Sequence, residues 1–321
     1  MKTVHAILCA VLLALSTAPA LAQYPTKQIN LIVAYAAGGT GDTMARLISD
    51  RLGAALGQTV IVENRAGASG AIGSRAVTNA TPDGHTLLLG QTGEMSINQH
   101  WLKDIGYDPD KDLQPVALVG IVPLALVVPV NAPYSTMAEY WAFLKSNKIS
   151  TFASAGNGTP GYFAGEYLKA SAKSPMTHVP YKGAGPALND LIGGHVDMYF
   201  PGFAAVAPLM TTGKLKLLAV SSATRSPAAP QIPTVAEATG IKNFDFTLWG
   251  GVFAPRNTPK EVVERLNAEI NKILQSPETA RRFAEVGADI KVGSVEDFTK
   301  FVRAESQKYI EVIKTTGAKP E

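Results

Sequence analysis

The chain has 321 residues, 46% hydrophobic and 17% charged, with 29 Lys and Arg against 26 Asp and Glu for a net charge of +3. That composition excludes a disordered chain and allows one large or two medium cores. A charge so small, without a basic block, leaves no electrostatic footprint for nucleic acid.

The first residues read as an address. Met1-Lys2 opens a short positive segment, Ala6–Leu15 is apolar, and Ala20-Leu21-Ala22 is a small-x-small cleavage site. Together they predict a secretory signal peptide over 1–22, since the apolar run is too short to span a bilayer. The single cysteine, Cys9, falls inside it, so the exported chain, beginning near Gln23, is expected to hold no disulfide, thiolate metal site or cysteine nucleophile. No later apolar run reaches membrane-spanning length.

After the signal, Ile29–Tyr35 (INLIVAY) is a β-branched strand that stops at Ala36–Asp42 (AGGTGD, following Ala36). A stripe at Met44, Leu47, Ile48, Leu52, Ala55 and Leu56 predicts a helix, with Thr40 or Asp42 as its cap. The order strand, glycine turn, helix repeats: strand 60–63, helix 70–79, strand 86–90. Such apolar strands separated by helices predict a parallel sheet covered on both faces. Two apolar runs, 116–119 and 124–130, then lie close together, followed by a helix over 137–145.

A second series starts with strand 151–155, turn 156–161, helix 163–172 and strand 177–181. It continues through turn 182–185, helix 186–192, strand 196–200, helix 204–211 and strand 215–220. The proline-bearing stretch 225–233 is a connector. Strand 248–253 and helices near 259–274, 277–286 and 295–314 close the chain. The expected architecture is α/β, two lobes around a central cleft with more than one crossing between them. Lobe 1 takes 23–122 plus 246–321 and lobe 2 takes 123–245. One continuous doubly wound domain is the alternative.

Three glycine turns, 36–42, 156–161 and 181–185, each follow a strand and open a helix. In an open parallel sheet such turns line the ligand crevice. Helix N-termini present unpaired N–H groups and partial positive charge, and glycine lets the backbone approach a ligand, so small anions such as carboxylates fit there. Any single turn of this kind also occurs as an ordinary connection. Asp42 is read first as a cap or loop-closing acceptor, and second as a contact to a ligand hydroxyl or ammonium.

Enzyme signatures are sparse. Gly39-Thr40-Gly41-Asp42-Thr43-Met44 matches two of the three glycines of the dinucleotide fingerprint, and Glu63 is spaced to hold a ribose, but export argues against a nicotinamide cofactor. There is no G-x-S-x-G elbow and no phosphate-binding P-loop. His85, His100, His178 and His195 lack helical metal spacing, and Glu63 and Asp190 have no evident partner. Trp101, Trp141 and Trp249 are expected in cores. No catalytic residue, metal site or cofactor is expected.

Collinear segments carry a resemblance. They are Tyr24-Pro25, INLIVAYAAGGTGDTMAR (29–46), VIVENRAGASGAIG (60–73) and PDGHTLLL (82–89), then GNGTPGYFAGE (156–166), HVPYKGAGPALNDLIGGHVDM (178–198), IPTVAEATG (232–240) and WGGVFAPRNTP (249–259). The chain resembles the Bug family of extracytoplasmic solute receptors, the TctC-type binding component of tripartite tricarboxylate transporters. The resemblance implies a type II periplasmic-binding fold, no catalysis, and capture of a small carboxylate: a dicarboxylate, tricarboxylate or aromatic acid. It implies delivery to TctA/TctB-like permease subunits by a periplasmic monomer. Carried over by position, Tyr35, Ala37, Gly38, Gly39, Thr40 and Asp42 anchor the ligand in lobe 1 with Gln91 and Thr92. Asn157, Gly158 and Thr159 supply second-lobe donors, the last with its hydroxyl. Lys182 and Gly183 belong to the next turn, and Pro201, Gly202 and Phe203 to the far wall. Tyr35 and His85 depart from the usual Phe and Tyr of the family. The alternatives are a receptor presenting ligand to a histidine kinase, or an exported α/β enzyme.

Overall fold

The computed structural model describes residues 24–320. The predicted signal peptide lies outside the described residues. Among the described residues, ten strands form two five-stranded sheets of matching design. In the first, β1 (Ile29–Val33) lies between β2 (Val60–Asn64) and β3 (Thr86–Gln91), all parallel, and the order continues through β10 (Thr247–Pro255) to β4 (Leu113–Pro123). In the second, β6 (Ser150–Ser154) lies between β7 (Met176–Pro180) and β8 (Met198–Tyr199), again parallel, and β5 (Ala125–Pro129) and β9 (Leu215–Val220) complete the row.

The expected all-parallel sheets are therefore mixed: β10 runs antiparallel to β3 and β4, and β5 antiparallel to β8 and β9. The reason is the crossing. The apolar runs around 116–130 are one long strand of the first sheet and one short strand of the second, separated only by Leu124. A chain that crosses between sheets with no intervening helix cannot make the right-handed helical crossover that parallel neighbours need. The return crossing runs from the end of β9 to β10. It contains the short helix Val235–Thr239, absent from the sequence expectation.

The turns obey their residues. Helices Met137–Lys145, Val235–Thr239 and Val295–Thr316 each begin with a full capping box, on Thr136, Thr234 and Ser294. The last helix, expected to complete the first lobe, reaches both. Phe298 and Val302 pack among Ile32, Leu88 and Trp249, while Tyr309 and Val312 pack among Phe152, Phe163 and Phe246. A further apolar cluster runs without a break from Val33 and Leu52 in the first lobe to Ala187 and Val206 in the second. Among the described residues no helix is long and apolar enough to cross a membrane.

Candidate functional site

Beyond β1 the chain enters an exposed stretch, 36–39, before helix Thr40–Leu56. The cap of that helix is neither Thr40 nor Asp42, as expected from sequence, but Gly39, which makes no side-chain capping bond. Asp42 sits inside the first turn, only 5% exposed, and reaches backward. Its Oδ2 accepts the Gly38 N–H at 2.9 Å, and its other oxygen pairs with Arg46 at 3.0 Å. Burial by itself would raise the Asp42 carboxyl. The hydrogen bonds from Arg46, from the Gly38 amide and from Asn64 outweigh it and hold the group below its ordinary value. The acid's charge is thus taken up within its own loop, which removes the repulsion an unpaired acid would exert on an anion.

Tyr35, half-buried, points its hydroxyl to the Ser69 carbonyl at 3.3 Å. The hydroxyl fits because Gly93 stands beside it: a Cβ there would lie 2.7 Å from the oxygen. Burial raises the Tyr35 phenol well above its ordinary value, and Glu94 adds to the effect. Glu94, in the single π-turn Gly93–Ile97 that follows β3, is fully buried. Its Oε1 accepts the Gln91 N–H at 2.7 Å. Burial pushes its carboxyl up to about 8, despite the opposing backbone bonds, so that it is largely neutral at pH 7. The Gln91 amide lies over Gly41, where a Cβ would come within 2.5 Å of it, and its Nε2 has no hydrogen-bond partner among the described residues. Thr92 is fully buried, and its Oγ1 accepts the Trp249 N–H at 2.9 Å, so its side chain ties β3 to β10.

In the second lobe, Asn157 is half-buried and Gly158 is buried with a φ of +76°. The Thr159 hydroxyl, expected to face a ligand, caps its own helix instead. It accepts the Tyr162 N–H at 3.3 Å and donates to the Gly156 carbonyl at 2.8 Å. That hydroxyl answers an orphan helix donor, the commonest use of threonine at this position. Lys182 is exposed, and the Gly183 N–H donates to the Ala155 carbonyl at 3.0 Å, joining the third turn to the second. Pro201 is buried, its carbonyl accepting the Ala125 N–H at 2.8 Å.

Two close approaches bring the helix starts together. A Cβ at Gly202 would lie 3.0 Å from the Thr40 Oγ1 of the opposite lobe. A Cβ at Gly161, in the first turn of helix Pro160–Ala172, would lie 2.4 Å from the Phe200 carbonyl. The N-termini of helices Thr40–Leu56 and Pro160–Ala172 are therefore linked through the segment 200–202. Helices Thr40–Leu56, Ala184–Ile192 and Phe203–Thr211 all begin with a glycine cap and no side-chain capping bond, on Gly39, Gly183 and Gly202. The capping boxes stand at three other helices; Ala71–Thr78, after Gly70, and Lys260–Gln275, after Pro259, also lack a side-chain cap. Amides left open by their own caps are the donors an anion needs. Phe203 differs from its expected place: its ring presses on Gly287 and, with Ala207, Met210, Ala228, Ala284 and Glu285, lines a separate cavity of about 440 Å³.

The residues weighed for enzyme chemistry are occupied structurally. Glu63 pairs with Arg65 at 2.7 Å and Asp190 accepts the Tyr181 hydroxyl at 2.6 Å, so both have partners that spacing did not reveal. His85, 7% exposed, accepts the Thr26 N–H on Nε2 at 3.1 Å and lies 3.2 Å from Asp83 on Nδ1. Glu94 and Trp101 were missed as site neighbours. Trp101 is expected only as a core residue and Glu94 carries no local signal, and only the tertiary packing sets Trp101 beside Gly158 and Glu94 beside Gly70.

Residues 44–318 match the family model TctC, the tripartite tricarboxylate transporter family receptor. Among solved structures, Rpa4515 of R. palustris with adipate is 34% identical with a TM-score of 0.88, covering 93% of this chain and 100% of that one. The periplasmic binding protein BugD is 33% identical with a TM-score of 0.84, at 93% and 100% coverage. MatC from Rhodopseudomonas palustris with bound malate is 32% identical with a TM-score of 0.82, at 90% and 100% coverage.

Proposed function

The chain belongs to the TctC family of tripartite tricarboxylate transporter receptors, and from that premise we propose that it captures a small carboxylate between its lobes and hands it to a membrane permease. The observation that carries this reading is the pair of helix N-termini without side-chain caps, at Gly39 and Gly202, that the Thr40–Gly202 approach brings together, with the start of the Thr159-capped helix Pro160–Ala172 joined to them at Gly161–Phe200. Their amides and partial positive charges neutralise a carboxylate without a buried arginine, so the ligand can leave again. Relatives solved with adipate and with malate are of the same chemical class.

In this proposal the first lobe contributes Tyr35, the loop 37–42 and Gln91. The second contributes Asn157 and Gly158, the turn at Lys182 and Gly183, and the backbone of Pro201 and Gly202. Thr92, Thr159 and Phe203 shape the site from behind. Ligand contacts that exist only when the lobes meet shift the population toward the closed form. The receptor is exported to the periplasm by its signal peptide, works as a monomer without cofactor or catalysis, and docks on TctA/TctB-like subunits. Isothermal calorimetry with adipate, malate, a tricarboxylate and an aromatic acid tests the reading. At least one micromolar binder is expected, and a flat response to every acid would overturn it.

A further inference from the structure

We propose that Trp101 is a ligand-contacting residue: its indole N–H, set beside the loop that opens helix Pro160–Ala172, donates to one carboxylate oxygen. This rests on the carboxylate reading above and adds a donor from a side chain. Trp101 ends the short helix Asn98–Trp101, only ten residues beyond Gln91 in the same first-lobe segment. It is 4% exposed, and its Nε1 has no hydrogen-bond partner among the described residues. A buried donor left unpaired is costly, and indole nitrogens in protein interiors usually find an acceptor. Trp249 illustrates the ordinary case: it is also buried, at 1% exposed, and its Nε1 donates to the Glu305 carboxylate at 3.2 Å.

The orientation of the indole ties its orphan donor to the second loop. A Cβ at Gly158 would lie 2.8 Å from Cδ1 and 3.1 Å from Nε1, so the nitrogen edge of the ring faces the loop that opens the helix. The ring is held in that pose by Phe163, edge-on at 5.0 Å, and Tyr162 at 5.6 Å, both on that helix. Gln91 mirrors this in the first lobe, where an unpartnered Nε2 lies against Gly41 at the start of helix Thr40–Leu56. One stretch of chain, 91–101, thereby sets a buried neutral donor beside each helix N-terminus. A neutral donor supplies direction for a planar carboxylate without the affinity trap of a full positive charge.

The test uses the full exported chain labelled with 15N at its indoles, titrated with adipate and with malate. Three tryptophans give three indole signals, and Trp101→Phe identifies the one at issue while keeping an aromatic ring in place. The Trp101 signal is expected to move with ligand, and Trp101→Phe to weaken binding about ten- to a hundredfold, the loss typical of a hydrogen bond to a charged group. Should Trp101→Phe not fold, Trp141→Phe and Trp249→Phe assign the other two signals, and the wild-type indole titration decides alone. Ligand that binds while the signal stays still, or that binds folded Trp101→Phe as tightly as wild type, overturns the role of Trp101 and leaves the carboxylate reading standing. A wild-type chain that binds neither these two acids nor the tricarboxylate and aromatic acid overturns both.

Discussion

Gly158→Ala separates two physical costs at the second loop. The first is conformational: at φ +76° an alanine sits in the left-handed region, which costs about 1–2 kcal/mol. The second is steric, because the new Cβ would lie 2.8 Å from Trp101 Cδ1, inside contact distance, and the indole is wedged between Phe163 and Tyr162 and cannot swing away. Overpacking of that kind costs about 1–3 kcal/mol. The sum, about 2–5 kcal/mol, should appear as a lowered urea midpoint with an unchanged slope. Trp101→Leu supplies the second arm of a double-mutant cycle, since a leucine leaves room for the methyl. In that background Gly158→Ala should retain only the conformational part, for a coupling of about 1–3 kcal/mol. Additive effects, with coupling inside experimental error, would refute the contact and with it the placement of the indole edge on the loop.

A valine at Gly202 wedges the lobes apart at Thr40 Oγ1 and Leu248 Cδ1, which a Cβ would approach to 3.0 and 2.9 Å. Affinity for any carboxylate ligand should fall at least tenfold, while small-angle scattering shows a more open particle; unchanged affinity would detach that contact from closure. Glu94→Gln probes the buried carboxyl. Its folded value near 8 exceeds the unfolded value of 4.5, so the neutral acid favours the fold at low pH and that advantage disappears as pH rises through about 8. The melting temperature of Glu94→Gln minus that of wild type should therefore grow between pH 5 and pH 8, by the equivalent of a few kcal/mol. A pH-independent difference would mean that Glu94 is charged throughout.

The local elements and the family were legible along the chain because their causes are local. The 3.6-residue stripe from Met44 to Leu56 dictates a helix whatever surrounds it, and runs such as INLIVAY can only be strands. The glycine turns announced themselves because tight strand-to-helix turns need that residue. Short-range polar contacts were less legible. Asp42 and Thr159 are both good capping residues by type, yet Thr159 stands at its helix N-cap while Asp42 falls inside the first turn, past the Gly39 cap, and reaches back to Gly38. The direction of β4, β5 and β10 was hidden as well, since hydrophobicity is the same for a parallel and an antiparallel neighbour.

What no local pattern contains is which side chains meet from distant parts of the chain. Glu94 and Trp101 read as one acid and one aromatic in a mixed stretch. Folding buries both and sets them against Tyr35 and Gly158, residues tens of positions away. Burial is a property of the completed core, and so are the consequences that follow from it: the raised carboxyl of Glu94 and the unanswered donor of Trp101. The sequence by itself determined two α/β series, their glycine turns and the family. The tertiary structure alone decided which helix starts meet across the lobes, because that depends on the contact between Gly202 and Thr40, residues with no relation along the chain.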